Sequence, residues 1–141
     1  FACYFFDTQT SEYYFDFKVS SYFILNLVKK LKLENLPTTV IGFSQGGYLA
    51  PFVAEKLNNP QKVIGINCRF RADLMALPQK YQIYGIHGED DPVVDLENAQ
   101  KSHREMIISG MEGEFIHIPK AKHKLNKALL DKTLEIANLK T

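Results

Sequence analysis

The stretch from Thr38 to Leu57 constrains the fold of this 141-residue chain more than any other. Thr38 to Phe43, Thr-Thr-Val-Ile-Gly-Phe, is β-branched and apolar, the composition of a central strand. It ends in Gly42-Phe43-Ser44-Gln45-Gly46-Gly47 and passes without a linker into Gln45 to Leu57, which suits a helix. Pro51 is acceptable in that helix only if it lies in the first turns, where no amide is demanded of it. A strand that feeds straight into a helix is the front half of a β-α-β unit.

The rest of the chain repeats the rhythm. Phe1 to Asp7 is short and aromatic and reads as a buried strand ending at an acid, followed by a polar, Tyr-rich loop from Thr8 to about Lys18. Ser20 or Ser21 is placed to cap a helix running to about Leu33, with Phe23, Ile24, Leu27, Val28 and Leu31 as its buried stripe. Pro37 ends that connection, and Asn58-Asn59-Pro60 breaks the helix after the elbow. Val63 to Asn67, Gln82 to His87 and Gly113 to Ile118 read as further strands. Leu96 to Ser109 is a helix closed by Gly110, and a last helix runs from about Leu125 to Asn138. Strands alternating with helices define the α/β class: one domain over residues 1–141, a mostly parallel sheet, and right-handed crossovers with helices on both faces. In such sheets chemistry sits in the loops beyond the carboxyl ends of the strands.

Composition removes several function classes. The net charge of +1 comes with no basic stripe, which argues against nucleic-acid binding. No apolar run approaches the roughly 20 residues of a membrane span. Cys3 and Cys68 follow neither a metal-ligand spacing nor a disulfide framework, so buried free thiols in a reducing compartment, the cytoplasm, are expected. Neither a metal nor an organic cofactor is called for.

G-x-S-x-G between a buried strand and a helix has a specific physical meaning. The chain must turn sharply there, which forces Ser44 into a strained backbone conformation and holds its hydroxyl proud of the sheet. The flanking glycines, Gly42 and Gly46, remove Cβ atoms expected to collide in the turn. The Gln45 N–H, at the positive end of the following helix, becomes a candidate oxyanion donor. A phosphate loop would need a Gly-Lys-Ser/Thr ending, which is lacking.

This strand–Ser–helix elbow is similar to that of the α/β-hydrolases, whose partners follow in the order Ser, acid, His. A serine hydroxyl needs a base to take its proton, and the base needs a group to orient it. That order sorts the four histidines. His87 precedes the candidate acids and ends a strand, so it shapes a turn. His103 lies within a helix, as a surface residue, and His117 within a strand. His123, in the loop after the last strand, stands where a base must be. The acid belongs in the loop His87-Gly88-Glu89-Asp90-Asp91-Pro92-Val93-Val94, where Glu89, Asp90, Asp91 and Asp95 compete. Asp91 is favoured because Pro92 stiffens the turn and Val93-Val94 can anchor the loop; a solvated turn is the plainer reading of the cluster.

Together these residues resemble one branch of that superfamily, the phospholipase/carboxylesterase family that includes acyl-protein thioesterases. Its G-F-S-Q-G-G stands at Gly42 to Gly47, and its H-G-x-x-D-x-V-V at His87 to Val94, which resolves the acid as Asp91. Its late histidine matches His123, and Phe5-Phe6-Asp7 is similar to its strand upstream of the elbow helix. Lys122 stands before His123 where the family usually has Gly. The resemblance implies a serine esterase or thioesterase with Ser44 as nucleophile, His123 as base, Asp91 as orienting acid and the Gln45 N–H in the oxyanion hole. The family's early strands and Gly-rich oxyanion loop have no counterpart in these residues, so a missing upstream segment is expected, and with it a loss of roughly 10²–10³ in rate. The implied partner is a small acyl ester or thioester. A homodimer is compatible with the sequence. The alternative from another class is a non-catalytic binding protein that keeps the elbow without turnover.

Overall fold

The computed structural model describes residues 5–7, 9, 12–14 and 17–139. The first four residues of the expected Phe1–Asp7 strand, with Cys3 among them, lie outside that set. β1 (Phe5–Asp7) does not join a large sheet: it pairs antiparallel with β2 (Glu12–Tyr14), a strand within the stretch expected to be loop. The fold then runs α1 (Phe17–Lys30), β3 (Thr38–Phe43), α2 (Gln45–Ala54), β4 (Pro60–Ile66), β5 (Gln82–Gly88), α3 (Leu96–Ile108), β6 (Phe115–Ile118) and α4 (Lys127–Ile136). β3, β4, β5 and β6 form a wholly parallel sheet in that order.

Alternation along the strands sends side chains to two cores. Val63 and Ile83 face one way and pack with Ala50 and Ala54 of α2 and Met106 of α3. Ile64, Ile66 and Ile86 face the other way and pack with Leu129 of α4. Helices therefore cover both faces, as the continuous apolar runs of the strands demand. Pro60 begins β4 instead of merely breaking a helix, which suits a residue with no amide to give to the ladder.

Two expectations fail in α1. The helix starts at Phe17, so Ser20 and Ser21 are internal and neither is its cap. Its buried stripe is Phe17, Ser21, Ile24 and Leu25, whereas Phe23, Leu27 and Leu31 stand more than half exposed or close to it. The reason is Phe17. Its ring stacks on Phe52 at 4.5 Å and joins Leu49 and Val53 of α2, which sets the rotation of the helix. With apolar residues nearly all round α1, periodicity alone could not choose the face. Pro51 is also misjudged, since it sits in the second half of α2 and not in its first turns.

His103 is a second correction. Expected at the surface, it is 4% exposed, with Nε2–H donating to the Ile83 carbonyl at 3.0 Å. Burial holds the rings of His103 and His87 below the ordinary imidazole value, despite the backbone carbonyl each one meets. Both are neutral in the fold and would charge more readily when unfolded, so their stabilisation is complete above about pH 6.5. It is lost as pH falls through their lowered values. The Tm should therefore drop as the medium is acidified through the histidine range, and the slope should be shallower in His103→Gln, whose amide still donates but does not titrate.

Cys68 is free and buried, and burial pushes its thiol far up, so it stays protonated. Among the described residues, no helix is long and apolar enough to cross a membrane.

Candidate active site

The loops after β3, β5 and β6 bring Ser44, Asp91 and His123 together at the carboxyl end of the sheet. Ser44 sits between β3 and α2 with φ 51° and ψ −118°, a left-handed φ that a non-glycine residue adopts only under constraint. The constraint is visible on both sides. The Ser44 N–H donates to the Ile66 carbonyl of the neighbouring strand at 2.9 Å, and the Ser44 carbonyl accepts from the N–H groups of Gly47 and Tyr48. The turn is thus tied to the sheet before it and to the helix after it.

The two elbow glycines differ in kind. A Cβ on Gly42 would lie 2.1 Å from the Gly46 carbonyl oxygen, a backbone atom that cannot step aside. A Cβ on Gly46 would meet nothing within 4 Å among the described residues, contrary to the collision expected there. Gly42→Ala should therefore destabilise the protein by about 1–3 kcal/mol and displace Ser44. Gly46→Ala should be neutral or raise stability by about 0.4–1 kcal/mol through the unfolded chain. Thermal unfolding of the two variants measures the contrast.

His123 stands between the other two. Its Nε2 is 2.9 Å from Ser44 Oγ and its Nδ1 is 2.8 Å from Asp91 Oδ2. The ring is largely covered, 5.1 Å from the Phe43 ring, and the Asp91 carboxylate is wholly buried. Asp91 Oδ1 accepts from the N–H groups of Val93 at 2.8 Å and Val94 at 3.0 Å. Burial works to raise the Asp91 carboxyl, but the Val94 N–H, His123 and the Val93 N–H outweigh it and hold the group below its ordinary value. An ionised carboxylate at Nδ1 fixes the tautomer: Nδ1 carries the proton, leaving Nε2 to accept from the Ser44 hydroxyl. Chemically, the arrangement can deprotonate one hydroxyl and stabilise the imidazolium that results.

The other candidate acids have other work. Asp95 caps α3, its Oδ1 accepting from the Asn98 N–H at 2.8 Å. Glu89 is exposed, 3.9 Å from His117, and Asp90 is exposed. Gln45 is the first residue of α2, next to Ser44 at the positive end of the helix. His87 is buried against the acid loop, its Nε2–H donating to the Val94 carbonyl at 3.0 Å. Nothing in the sequence singled out Asn67, which lies wholly buried beneath these loops; its only signal was an amide closing an apolar strand. A cavity of about 520 Å³ between α1 and α2 is lined by Phe17, Tyr22, Leu25 and Phe52, and by none of the three site residues. No cluster of metal-ligating side chains occurs among the described residues.

A parallel sheet with helices on both faces, and a serine on a strained turn between strand and helix, define an α/β-hydrolase fold. Residues 9–139 match the model of the phospholipase/carboxylesterase family, and the chain belongs to that family. Solved structures agree in fold. The esterase PE8 superposes with a TM-score of 0.73 at 21% identity, over 85% of this chain and 58% of that one. Zea mays acyl-protein thioesterase 2 gives 0.67 at 18%, over 85% and 62%. The Bacillus cereus carboxylesterase gives 0.69 at 15%, over 86% and 58%. The chain thus spans about three-fifths of the length of these structures. No curated protein sequence matches it.

Proposed function

We propose that the protein is a serine hydrolase that cleaves carboxylic esters or thioesters through an acyl-enzyme on Ser44. The observation that carries this reading is the unbroken hydrogen-bonded chain from Ser44 Oγ through His123 to the buried Asp91. Ser44 Oγ attacks the acyl carbonyl carbon as His123 Nε2 takes its proton, and Asp91 stabilises the imidazolium. The negative charge moves to the carbonyl oxygen, which the Gln45 N–H receives. Collapse of this adduct breaks the ester or thioester bond, and the leaving oxygen or sulfur takes the proton back from His123. Water, deprotonated in turn by His123, attacks the acyl-serine; the carboxylic acid departs and Ser44 regains its proton.

The substrate class follows the family and the neighbours, an esterase and an acyl-protein thioesterase among them, toward acyl esters, lysophospholipids or S-acylated proteins. The connection from Arg69 to Pro78 holds one short 3₁₀ turn (Ala72–Leu74) and leaves little room for a lid, which favours small or soluble acyl substrates. The buried free thiol of Cys68 favours a reducing compartment, the cytoplasm. A fluorophosphonate probe should label the full-length protein at Ser44, with a burst of p-nitrophenol from a short-chain ester. Labelling that persists in Ser44→Ala would refute the assignment.

A further inference from the structure

We infer that Asn67 is a positioning residue of this site: its buried amide holds the loop that carries the base against the loop that carries the acid, and so sets where the His123 ring stands between Ser44 and Asp91. The inference rests on the triad reading above. Asn67 follows β4 directly, is 0% exposed, and has φ 46°, a left-handed conformation that Asn adopts more readily than most residues. Its N–H donates to the Ile86 carbonyl at 2.9 Å, and the carbonyl just before it, that of Ile66, is the one that accepts from Ser44. Its side chain spans the other two loops. Oδ1 accepts from the Gly88 N–H at 2.9 Å, where the acid loop opens, and Nδ2–H donates at 2.9 Å to the carbonyl of Lys122, the residue before His123.

Only one orientation of the amide satisfies both partners. A backbone N–H can only donate and a carbonyl only accept, so the flipped amide would set donor against donor and acceptor against acceptor. No other side chain of this length offers one donor and one acceptor in fixed opposition without first binding a proton. An apolar residue would leave the Gly88 N–H and the Lys122 carbonyl without it, and an ionised Asp would face that carbonyl with a second acceptor. At Lys122, where the family usually has Gly, the chain is held by its backbone carbonyl, and the residue is exposed. Other links join the two segments, the Asp90 N–H to the Ala121 carbonyl at 3.0 Å, the Glu89 N–H to the Ile118 carbonyl at 3.1 Å and Asp91 to His123 itself, so they should stay folded when the amide is removed.

The test compares Asn67→Gly and Asn67→Asp in the full-length protein. Glycine accepts the left-handed φ without strain, so it deletes only the amide; Asp keeps its size. With a short-chain p-nitrophenyl ester, Asn67→Gly should lose on the order of 10²-fold in kcat at unchanged KM, and the fluorophosphonate labelling rate per reactive site should fall in parallel. Asn67→Asp should recover toward wild type as the medium is acidified, because a protonated carboxyl again offers one donor and one acceptor, and burial favours that form. It should then lose activity on the alkaline side, where wild type does not, at temperatures below its melting transition. A merely structural role would reduce the amount of reactive enzyme and leave the rate per site and the shape of the pH profile alone; that result would overturn the inference. If wild type labels at Ser44 while both variants match its rate, the inference alone fails. If wild type does not label at Ser44, the triad reading fails and takes the inference with it.

Discussion

Ser44→Ala should lower kcat for a short-chain p-nitrophenyl ester by about 10⁶-fold, and adding His123→Ala should cost almost nothing further. The non-additivity follows from the geometry. His123 Nε2 lies 2.9 Å from Ser44 Oγ, so the first proton the ring takes is the one on that hydroxyl. Without Ser44 the base has nothing to deprotonate, and without the base the hydroxyl is a poor nucleophile at neutral pH. Either change removes the same step, so the two penalties overlap. Steady-state kinetics on the single and double variants decides it. Penalties that add would mean the two residues act independently, and the hydrogen bond between them would be incidental to turnover.

Asp91→Asn should cost about 10⁴-fold in kcat while leaving the fold intact. The size of the effect comes from what holds the carboxylate. Its Oδ1 accepts from the Val93 and Val94 N–H groups, so an Asn there must keep its carbonyl oxygen on that side and turn its NH₂ toward His123. Nδ1, which now donates to Asp91 Oδ2 at 2.8 Å, would have to accept instead. The proton moves to Nε2 and points at Ser44 Oγ, and the ring is no longer a base in that position. Labelling of Ser44 by a fluorophosphonate should slow in step with kcat, with KM little changed. The acid limb of stability should change as well. Asp91 is held below its ordinary value, so it stabilises the fold fully above about pH 4 and loses that contribution as pH falls through its lowered value. The decline of Tm in strong acid should be shallower in Asp91→Asn.

Legibility differed by element. Thr38–Phe43 and the turn behind it were readable because two local signals agreed there: β-branched residues for the strand and glycines at a turn. The position of His123 was legible because chain order singled out the last loop, and that loop brings its ring to Ser44 and Asp91. Asp91 was not separable from Glu89, Asp90 and Asp95 on local grounds; the family pattern chose it, and in the fold Asp95 is a helix cap while Glu89 and Asp90 are exposed. His103 was misread because a histidine among polar helix residues carries no mark of the strand it packs against. The α1 face was misread because its apolar residues lie on every side. Phe5–Asp7 was readable as a strand but its partner was not, because three extended residues pair equally well in a hairpin or a sheet, and partner choice is a non-local matter.

Alternation of apolar runs with helical stretches was enough to determine the α/β class and the order of its strands' loops, because each element's period is a property of consecutive residues. The elbow at Ser44 belongs to the same category, since a strand, a serine, two glycines and a helix are contiguous. Only the tertiary structure decided which face α1 buries, and that one amide, Asn67, joins loops from three strands. Those facts depend on residues far apart in the chain being brought into contact with one another, and a contact of that kind leaves no period behind it in the sequence.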